Sequence, residues 1–274
     1  MSLNIIILAA GNGKRMQSAL PKVMHKVGGK PMLEHVLISA KKLNPKSINV
    51  VINSKIESIK NSFKNYKVHW HNQLEQKGTA DAVNTVLPNL GENEKVLILY
   101  ADTPLIDALL LEKFINYMPK SDVKVLTVEL DNPYGYGRII REQAEEEIIS
   151  KIIEETEADA KQKKIKECNT GIVFSDVGTL RSLISEVSNK NSKKEFYLTD
   201  IVSIANDKRL SVAPLLSKEF NSLLGVNDKC QLEKTEQIYQ NKKRNLFLKN
   251  GVTMLDSKSI FFKGDVEIGK DVEI

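Results

Sequence analysis

The chain has 274 residues, 41% of them hydrophobic, and its 40 Lys and Arg against 35 Asp and Glu residues give a formal net charge of +5. This mild charge argues against a dedicated nucleic-acid binder, which usually gathers its basic residues on one face; it is compatible with an anionic small substrate. No apolar run approaches the roughly 20 residues that a membrane-spanning helix needs. The two cysteines, Cys168 and Cys230, lack metal-ligand spacing, and we expect a reduced, cytoplasmic enzyme.

The first half of the chain alternates short apolar strands with helical patterns. Strands are predicted over residues 4–10, 47–53, 95–102 and 122–130, and helices over 31–43, 55–64, 79–89 and 107–117. This alternation favours a mostly parallel α/β sheet. In such sheets, ligands bind beyond the carboxyl ends of the strands. We therefore expect the loop after residue 10 and the loop around Asp102 to lie at one edge.

The second half of the chain is less regular. A turn entering a strand is indicated over 132–140, a solvated hairpin and loop over 144–167, strands over 168–175 and 210–216, a loop entering a helix over 195–206, and a long helix over 228–248. At the C-terminus Phe262, Ile268 and Ile274 recur every six residues, the period of a parallel β-helix. One coil cannot bury its own face, so this segment predicts only the start of such a domain.

The stretch LAAGNGKRM, which begins at Leu8, follows the first predicted strand directly. Small residues at 9–11 and 13 let backbone N–H groups approach a ligand, and successive donors of this kind cradle an anion. Arg15 and Lys22 add positive charge at phosphate range. The pattern predicts a nucleoside-triphosphate site that is neither a Walker loop nor a dinucleotide fingerprint. On these residues alone, a plain strand-to-helix turn with surface lysines stays open.

The longer string LAAGNGKRM…LPKVMHKVGGKPMLEHV resembles the signature of the sugar-phosphate nucleotidyltransferases. Within them, the chain resembles the bacterial bifunctional family of N-acetylglucosamine-1-phosphate uridyltransferase/glucosamine-1-phosphate acetyltransferases, over about residues 3–274. The segments that carry this resemblance, in order, are QLEQKGTADAV (73–83), YADTPLI (100–106), NPYGYGRIIRE (132–142), IIEETEA (152–158), ECNTGI (167–172), EFYLTDIV (195–202) and LLGVNDKCQL (223–232).

The resemblance implies a fold and a domain organisation. It implies a Rossmann-like α/β nucleotide-diphospho-sugar transferase fold with a mixed, mostly parallel sheet, then a C-terminal helix and the start of a left-handed parallel β-helix. The uridyltransferase domain would span 1–227, a linker helix 228–250, and a truncated β-helix 251–274. Acetyl transfer is expected to be absent, because its site lies in coils that this chain lacks. A homo-oligomer stays open, although the missing β-helix weakens that expectation.

The implied reaction is the Mg²⁺-dependent transfer of UMP from UTP to N-acetylglucosamine 1-phosphate, which yields UDP-N-acetylglucosamine and pyrophosphate for cell-envelope precursor synthesis. Arg15, Lys22 and Asp102 would be catalytic, and Asp102 and Asn227 would hold the Mg²⁺, which prefers hard oxygen ligands. The residues implied to bind the uracil and ribose are Leu8, Ala9, Ala10, Gly11, Gln73 and Gly78. Those implied to surround the amino sugar are Thr79, Tyr100, Gly137, Glu154 and Asn169.

Three positions depart from the family pattern. Lys14 stands where the family usually has Thr or Ser, and Asp81 where it has His. Ala101 stands where the family has Gly, so its methyl group is expected close to the nucleotide or the sugar. If that position required a positive φ, alanine would cost about 1 kcal/mol.

Two alternatives stay open on the sequence. The first is a nucleotidyltransferase on the same scaffold that uses another sugar 1-phosphate or dTTP; the segments NTGI and IIEETEA favour the N-acetyl sugar instead. The second is a non-catalytic protein that binds nucleotide sugars. Retention of Asp102 and Asn227 together with Arg15 and Lys22 argues against this second alternative.

Overall fold

A computed structural model describes residues 2–141 and 148–274, with the side chains of all of these but residues 54–58. Residues 144–147 of the predicted hairpin and loop lie outside the described residues. The described strands are β1 (Leu3–Leu8), β2 (Lys26–Val27), β3 (Lys30–Pro31), β4 (Ser47–Asn53), β5 (His69–Gln73), β6 (Lys95–Tyr100), β7 (Val123–Glu129), β8 (Arg138–Arg141), β9 (Ile149–Ile153), β10 (Glu167–Asp176) and β11 (Val212–Ser217). The described α-helices are α1 (Met32–Lys42), α2 (Thr79–Asn84), α3 (Ala108–Asn116), α4 (Val177–Ile184), α5 (Ile201–Asp207) and α6 (Lys229–Lys249).

The main sheet has the strand order β11-β7-β10-β6-β1-β4-β5, with β8 and β9 attached beside β10. Strands β6, β1, β4 and β5 are mutually parallel, and β11 is parallel to β7. Strand β10 runs antiparallel between β6 and β7. The carboxyl ends of β1, β4, β5 and β6 therefore meet the first residues of β10 at one edge. This confirms the predicted mixed, mostly parallel sheet, and the loop after residue 10 and the loop around Asp102 lie at one edge, as expected.

Strand β1 shows why the sheet is covered on both faces. Ile5 and Ile7 are fully buried in one apolar cluster with α1 and α3, whereas Ile6 and Leu8 pack in a second cluster with α2, α4 and α5. Because side chains alternate across a strand, a continuous apolar run must be buried on both faces. The result is a three-layer arrangement, with α1 and α3 on one face of the sheet and α2, α4 and α5 on the other. Packing on both faces holds the ends of the central strands in place.

Several predicted elements have different boundaries in the structure. Strand β1 ends at Leu8 rather than residue 10, and β6 ends at Tyr100 rather than residue 102. In both places the segment that follows the strand turns out of the sheet and lines a cavity described below. The predicted helix 79–89 is divided into α2 and a 3₁₀ turn over Leu87–Asn89, since Pro88 lacks the N–H that a continuous helix requires. The predicted helix 55–64 is a 3₁₀ helix over Ser54–Phe63.

The C-terminal segment, residues 251–274, packs against α6. Gln240 is fully buried, and its amide pairs with both backbone groups of Phe262, with Nε2 donating to the carbonyl and Oε1 accepting from the N–H at 2.7 Å each. A parallel bridge joins Thr253 to Glu273, as one coil of a parallel β-helix requires. Across the described ranges, the helices are too short or too polar to cross a membrane.

Candidate active site

Two adjoining cavities open at the carboxyl edge of the sheet. The first, of about 330 Å³, lies against the loop after β1, and the second, of about 250 Å³, lies against the start of β10. Four residues line both cavities: Thr79, Tyr100, Asp102 and Glu195. A ligand that occupied both would therefore pass Asp102 at the junction.

The first cavity brings together most of the predicted nucleotide residues. Its walls include the predicted residues Leu8, Ala9, Ala10, Gly11, Lys22, Gln73, Gly78, Thr79, Tyr100 and Asp102. The backbone oxygen of Ala10 accepts hydrogen bonds from Asn53 Nδ2, at 2.7 Å, and from Gln76 Nε2. These bonds fix the position of the small-residue loop beside the cavity.

Glycine is required at position 78 because the loop before α2 passes very close to the segment that contains Phe196. Its φ is +122°, and a Cβ built there would lie 2.3 Å from the backbone oxygen of Phe196. Phe196 in turn accepts a hydrogen bond from Ala80 N at 3.0 Å and donates to the oxygen of Lys77 at 2.6 Å. The loop before α2 is thus held against the segment that carries Glu195, and only glycine fits there.

The second cavity contains the predicted sugar residues Gly137, Glu154 and Asn169 and the predicted metal ligand Asn227, besides the residues it shares with the first. At the start of β10, Gly171 has a φ of +81°, and a Cβ there would lie 2.4 Å from the Tyr100 ring. The N–H of Gly171 donates to Asn169 Oδ1 at 3.0 Å, and Asn169 N donates to the oxygen of Gly137 at 2.9 Å. This bend holds the Asn169 side chain at the cavity wall.

Burial shifts the pKa values of two side chains that line the second cavity, Glu154 and Tyr100. Burial raises the pKa of Glu154, although a 3.0 Å hydrogen bond from Thr199 Oγ1 favours the charged form. Burial also raises the pKa of Tyr100, and the negative charges of Glu154 and Asp102 add to that rise. Tyr100 therefore stays a neutral hydroxyl, a donor and acceptor of hydrogen bonds at the junction of the cavities.

Lys22 lies between the two predicted metal ligands. Its ammonium donates to Asp102 Oδ2 and, at 2.8 Å, to Asn227 Oδ1. The backbone brings these oxygens together, because Val226 N donates to the oxygen of Asp102 at 2.8 Å and Asp228 then caps α6. One carboxylate and one amide oxygen that converge on a single cation form a donor set that suits Mg²⁺, which keeps several waters as further ligands.

Other metal sites find no support in the part of the chain that the structure describes. There, no group of three or more His, Cys, Asp or Glu side chains is placed to hold an ion. The predicted ligands Asp102 and Asn227 are not such a group, because they supply one carboxylate and one amide.

Two predicted site residues do not line either cavity. Arg15 is exposed on the 3₁₀ turn over Lys14–Met16. Ala101 is fully buried in the apolar cluster beside α1, and its N–H donates to the oxygen of Leu8 at 3.0 Å. Its φ is not positive, so the strain considered for alanine there does not arise. The methyl group of Ala101 points into the core instead of toward a ligand.

The sequence reasoning missed several lining residues. In the first cavity these are Asn12, Val23, Gln76, Ala82 and Glu195. In the second they are Thr103, Gly135, Tyr136, Thr170, Gly171, Lys193, Tyr197, Thr199, Leu223 and Gly225, again with Glu195. Gln76 and Glu195 lie inside the quoted segments QLEQKGTADAV and EFYLTDIV, so their neighbours carried a signal. Lys193 lies just outside such a segment and carried none.

Solved structures share this fold. A UDP-glucose pyrophosphorylase complexed with UDP-glucose superposes with a TM-score of 0.68 over 88% of this chain and 100% of its own, at 18% identity. A Bacillus anthracis protein assigned as a glucose-1-phosphate thymidylyltransferase, solved with sucrose, gives a TM-score of 0.65 over 86% of this chain and 95% of its own, at 20% identity. At such identities the likeness establishes the Rossmann-like nucleotide-sugar transferase fold and no more.

The sequence itself is similar to a curated protein along almost its whole length. It is 39% identical over 272 residues, or 99% of the chain, to the bifunctional protein GlmU of Buchnera aphidicola subsp. Schizaphis graminum. The matched region is 58% of that relative, so the chain spans little more than half of its length. This match confirms the resemblance to the uridyltransferase half of a bifunctional enzyme.

A family model matches the part of the chain that supplies most of the first cavity. Residues 5–165, more than half of the chain, match the MobA-like NTP transferase domain. The matched range contains the small-residue loop, Lys22, Gln73 and Asp102. The chain belongs to the MobA-like NTP transferase domain family, a family of nucleotidyltransferases.

Proposed function

We propose that the chain transfers UMP from UTP to N-acetylglucosamine 1-phosphate in a Mg²⁺-dependent reaction and releases pyrophosphate. The observation that carries this proposal is the junction of the two cavities at Asp102, with Lys22 and Asn227 beside it. A nucleotide in the first cavity and a sugar phosphate in the second would place their phosphates at this junction. Residues 1–227 would form the catalytic unit, with 228–250 and 251–274 as the linker helix and the start of a β-helix.

The first cavity suits a nucleoside triphosphate. The backbone of the loop from Leu8 to Gly11 would lie along the base and ribose, with Gln73 at the base edge and Gly78 opposite it. Lys22 would leave Asp102 and contact the phosphates, which attract a lysine ammonium as a point charge. Arg15 is exposed and lines neither cavity, and we propose that it contacts the outer phosphates only when the triphosphate is bound.

The second cavity suits an amino sugar. Its walls offer hydrogen-bonding groups of both kinds: the Asn169 amide and the Tyr100 hydroxyl can donate or accept, and the Glu154 carboxyl accepts when charged. Gly137 also forms part of this wall, and an acetamido group of the sugar would lie among these groups.

The chemistry at the junction needs charge compensation more than proton transfer. The sugar phosphate is already an anion at pH 7, so it can attack the α-phosphorus in line without a general base. Lys22 would neutralise developing charge on the phosphates, and close positioning of the two anions would lower the barrier further. Mg²⁺ held by Asp102 and Asn227 would supply additional positive charge.

A second candidate is the same transfer with another sugar 1-phosphate or with dTTP. The same fold occurs in a UDP-glucose pyrophosphorylase and in a protein assigned as a glucose-1-phosphate thymidylyltransferase, so the fold is compatible with these substrates. The relative at 39% identity supports the N-acetylglucosamine substrate instead.

The experiment is a pyrophosphate-release assay with UTP and Mg²⁺, with and without N-acetylglucosamine 1-phosphate. We expect release that depends on this sugar phosphate. Glucose 1-phosphate and dTTP serve as the competing substrates. Faster release with either of them would replace the proposed substrate, and UTP binding without release in any combination would support a non-catalytic protein that binds nucleotide sugars.

A further inference from the structure

The side chain of Gln73 ends β5 in an unusual hydrogen-bonding arrangement. It is almost completely buried and lines the first cavity. Its Nε2 donates to the backbone oxygen of Gly78 at 3.0 Å and to Asp81 Oδ2 at 2.7 Å. A glutamine amide nitrogen carries two N–H groups, so the protein itself uses both. Among the described residues Oε1 has no partner, yet it is not sealed from solvent.

The chemistry of the two partners determines which end of the amide faces the cavity. A carbonyl oxygen and a carboxylate oxygen are both acceptors, so rotating the amide by 180° would place Oε1 against two acceptors. The Gly78 carbonyl is itself fixed, because Ala82 N donates to it at 3.1 Å as the first bond of α2 and Phe196 packs against Gly78. The Asp81 bond is charge-assisted and is the shorter of the two.

Asp81 is linked to the first cavity through its hydrogen bond with Gln73. It lies in the first turn of α2 but is not part of the wall of either cavity at the sheet edge. The family pattern has His at this position, and a neutral His can either donate or accept. A carboxylate can only accept, so this chain permits a single orientation of Gln73.

We propose that Asp81 is a positioning residue that fixes Gln73 with Oε1 toward the base, so that the site selects a base presenting an N–H there. This inference rests on the proposed function. Uracil carries a hydrogen on N3, whereas cytosine has a lone pair at the same position and would face Oε1 acceptor to acceptor. Thymine shares the N3 hydrogen, so this contact separates UTP from CTP but does not separate uracil from thymine.

The test is calorimetric binding of UTP, CTP and dTTP to the full chain and to two variants. Asp81→Ala removes the acceptor, and Asp81→Asn retains an oxygen acceptor of the same size. We expect the unmodified chain to bind UTP about 10-fold or more tightly than CTP, the effect of one well-placed hydrogen bond. Asp81→Ala should lower the UTP/CTP affinity ratio by roughly 3-fold or more. Its UTP/dTTP ratio should not change, and Asp81→Asn should restore the UTP/CTP ratio only in part, because its amide can donate as well as accept.

A second readout follows the amide directly. The side-chain ¹⁵N–¹H resonances of Gln73 should shift in Asp81→Ala without any nucleotide, since one N–H loses a carboxylate partner. An unchanged UTP/CTP ratio in a folded Asp81→Ala variant would overturn this inference and leave the proposed function intact. An equal loss of UTP and CTP affinity would also overturn it, because it would indicate a purely structural role. Failure of the unmodified chain to bind UTP would overturn both proposals.

Discussion

The ammonium of Lys22 is hydrogen bonded to the carboxylate of Asp102, although 80 residues separate them in sequence. Their side chains are 12% and 21% exposed, so the pair is largely removed from water. Asn227 supplies a second oxygen to the same ammonium at 2.8 Å. A divalent cation held by the same two oxygens, as we propose, would have to displace the lysine ammonium.

Replacing Lys22 should therefore strengthen metal binding while it harms turnover. In Lys22→Met, the Asp102 carboxylate loses its cation, and we expect nucleotide-free protein to bind Mn²⁺ about 10-fold more tightly, as expected for removal of a close positive charge. Mn²⁺ titration followed by electron paramagnetic resonance measures this affinity. Lys14→Met removes an exposed charge near the same loop and serves as the matched control. Equal Mn²⁺ affinity in the Lys22 and Lys14 variants would contradict competition at Asp102.

Removing the charge of Asp102 should abolish most of the activity. Asp102→Asn retains the size and one oxygen, but we expect turnover to fall at least about 10²-fold, the scale of one lost electrostatic stabiliser. Steady-state pyrophosphate release at several Mg²⁺ concentrations measures it. Near-normal turnover at low Mg²⁺ would exclude Asp102 as the metal ligand. Asp107→Asn, at the half-buried N-cap of α3, controls for the loss of another acidic residue, because asparagine can also cap the helix.

Gly78 and Gly11 line the same cavity but differ in the space around them. In Gly78→Ala, the Cβ would meet the Phe196 oxygen at 2.3 Å with φ at +122°, so we expect a loss of at least about 2 kcal/mol in unfolding free energy. In Gly11→Ala, nothing lies within 4 Å of the Cβ, so the fold should keep its stability while the methyl group narrows the nucleotide cavity. Urea denaturation and UTP calorimetry on both variants separate these effects, and equal stability losses would contradict the difference in packing.

Asp200 makes the stability of the fold depend on pH. Burial, and then the negative charge of Glu154, raise the pKa of Asp200 from 3.8 to about 6. The folded state therefore binds the proton more tightly than the unfolded state, and this contribution to stability is lost as the pH rises from about 4 to about 6.

Asp200→Asn should remove that loss and stabilise the protein at pH 7 by about 1 to 3 kcal/mol, with allowance for the partial exposure of Asp200. Urea denaturation at several pH values between 4 and 7 measures the slope. Asp207→Asn, on the exposed face of α5, removes the same charge without burial. If both variants were equally stabilised at pH 7, net charge rather than burial of Asp200 would be the cause.

The sequence predicted the elements whose residues are apolar and continuous. Residues 47–53 form β4 with the predicted ends, because a β-branched run buried on both faces has few alternatives. Strand β5, HWHNQ, was not predicted, since it is an edge strand with polar residues and only Gln73 buried. Helix α4 was also missed: it follows β10 without a side-chain cap and contains Gly178.

The sequence predicted cavity-lining residues best where they lie at the end of a strand or just after it. Leu8, Gln73 and Asp102 are of this kind, whereas Lys22 lines the same cavity from a 3₁₀ turn. Ala101 was misplaced, because a position next to Asp102 in sequence points to the opposite side of the chain and into the core. Glu195 could be found only from the fold, which brings the loop before α5 against the loop before α2.

The Gln240–Phe262 pair should decide whether the C-terminal segment stays docked. In Gln240→Leu, the N–H and carbonyl of Phe262 lose their partners in a buried place, so we expect a loss of about 1 to 3 kcal/mol. Gln237→Leu, on the exposed side of α6, should change stability by less than about 0.5 kcal/mol. Trypsin should cleave after Lys263 faster in Gln240→Leu than in Gln237→Leu, because local opening exposes this segment. Equal cleavage rates with equal thermal stability would mean that the apolar contacts of Phe262 with Phe247 and Val252 hold the segment without the amide pair.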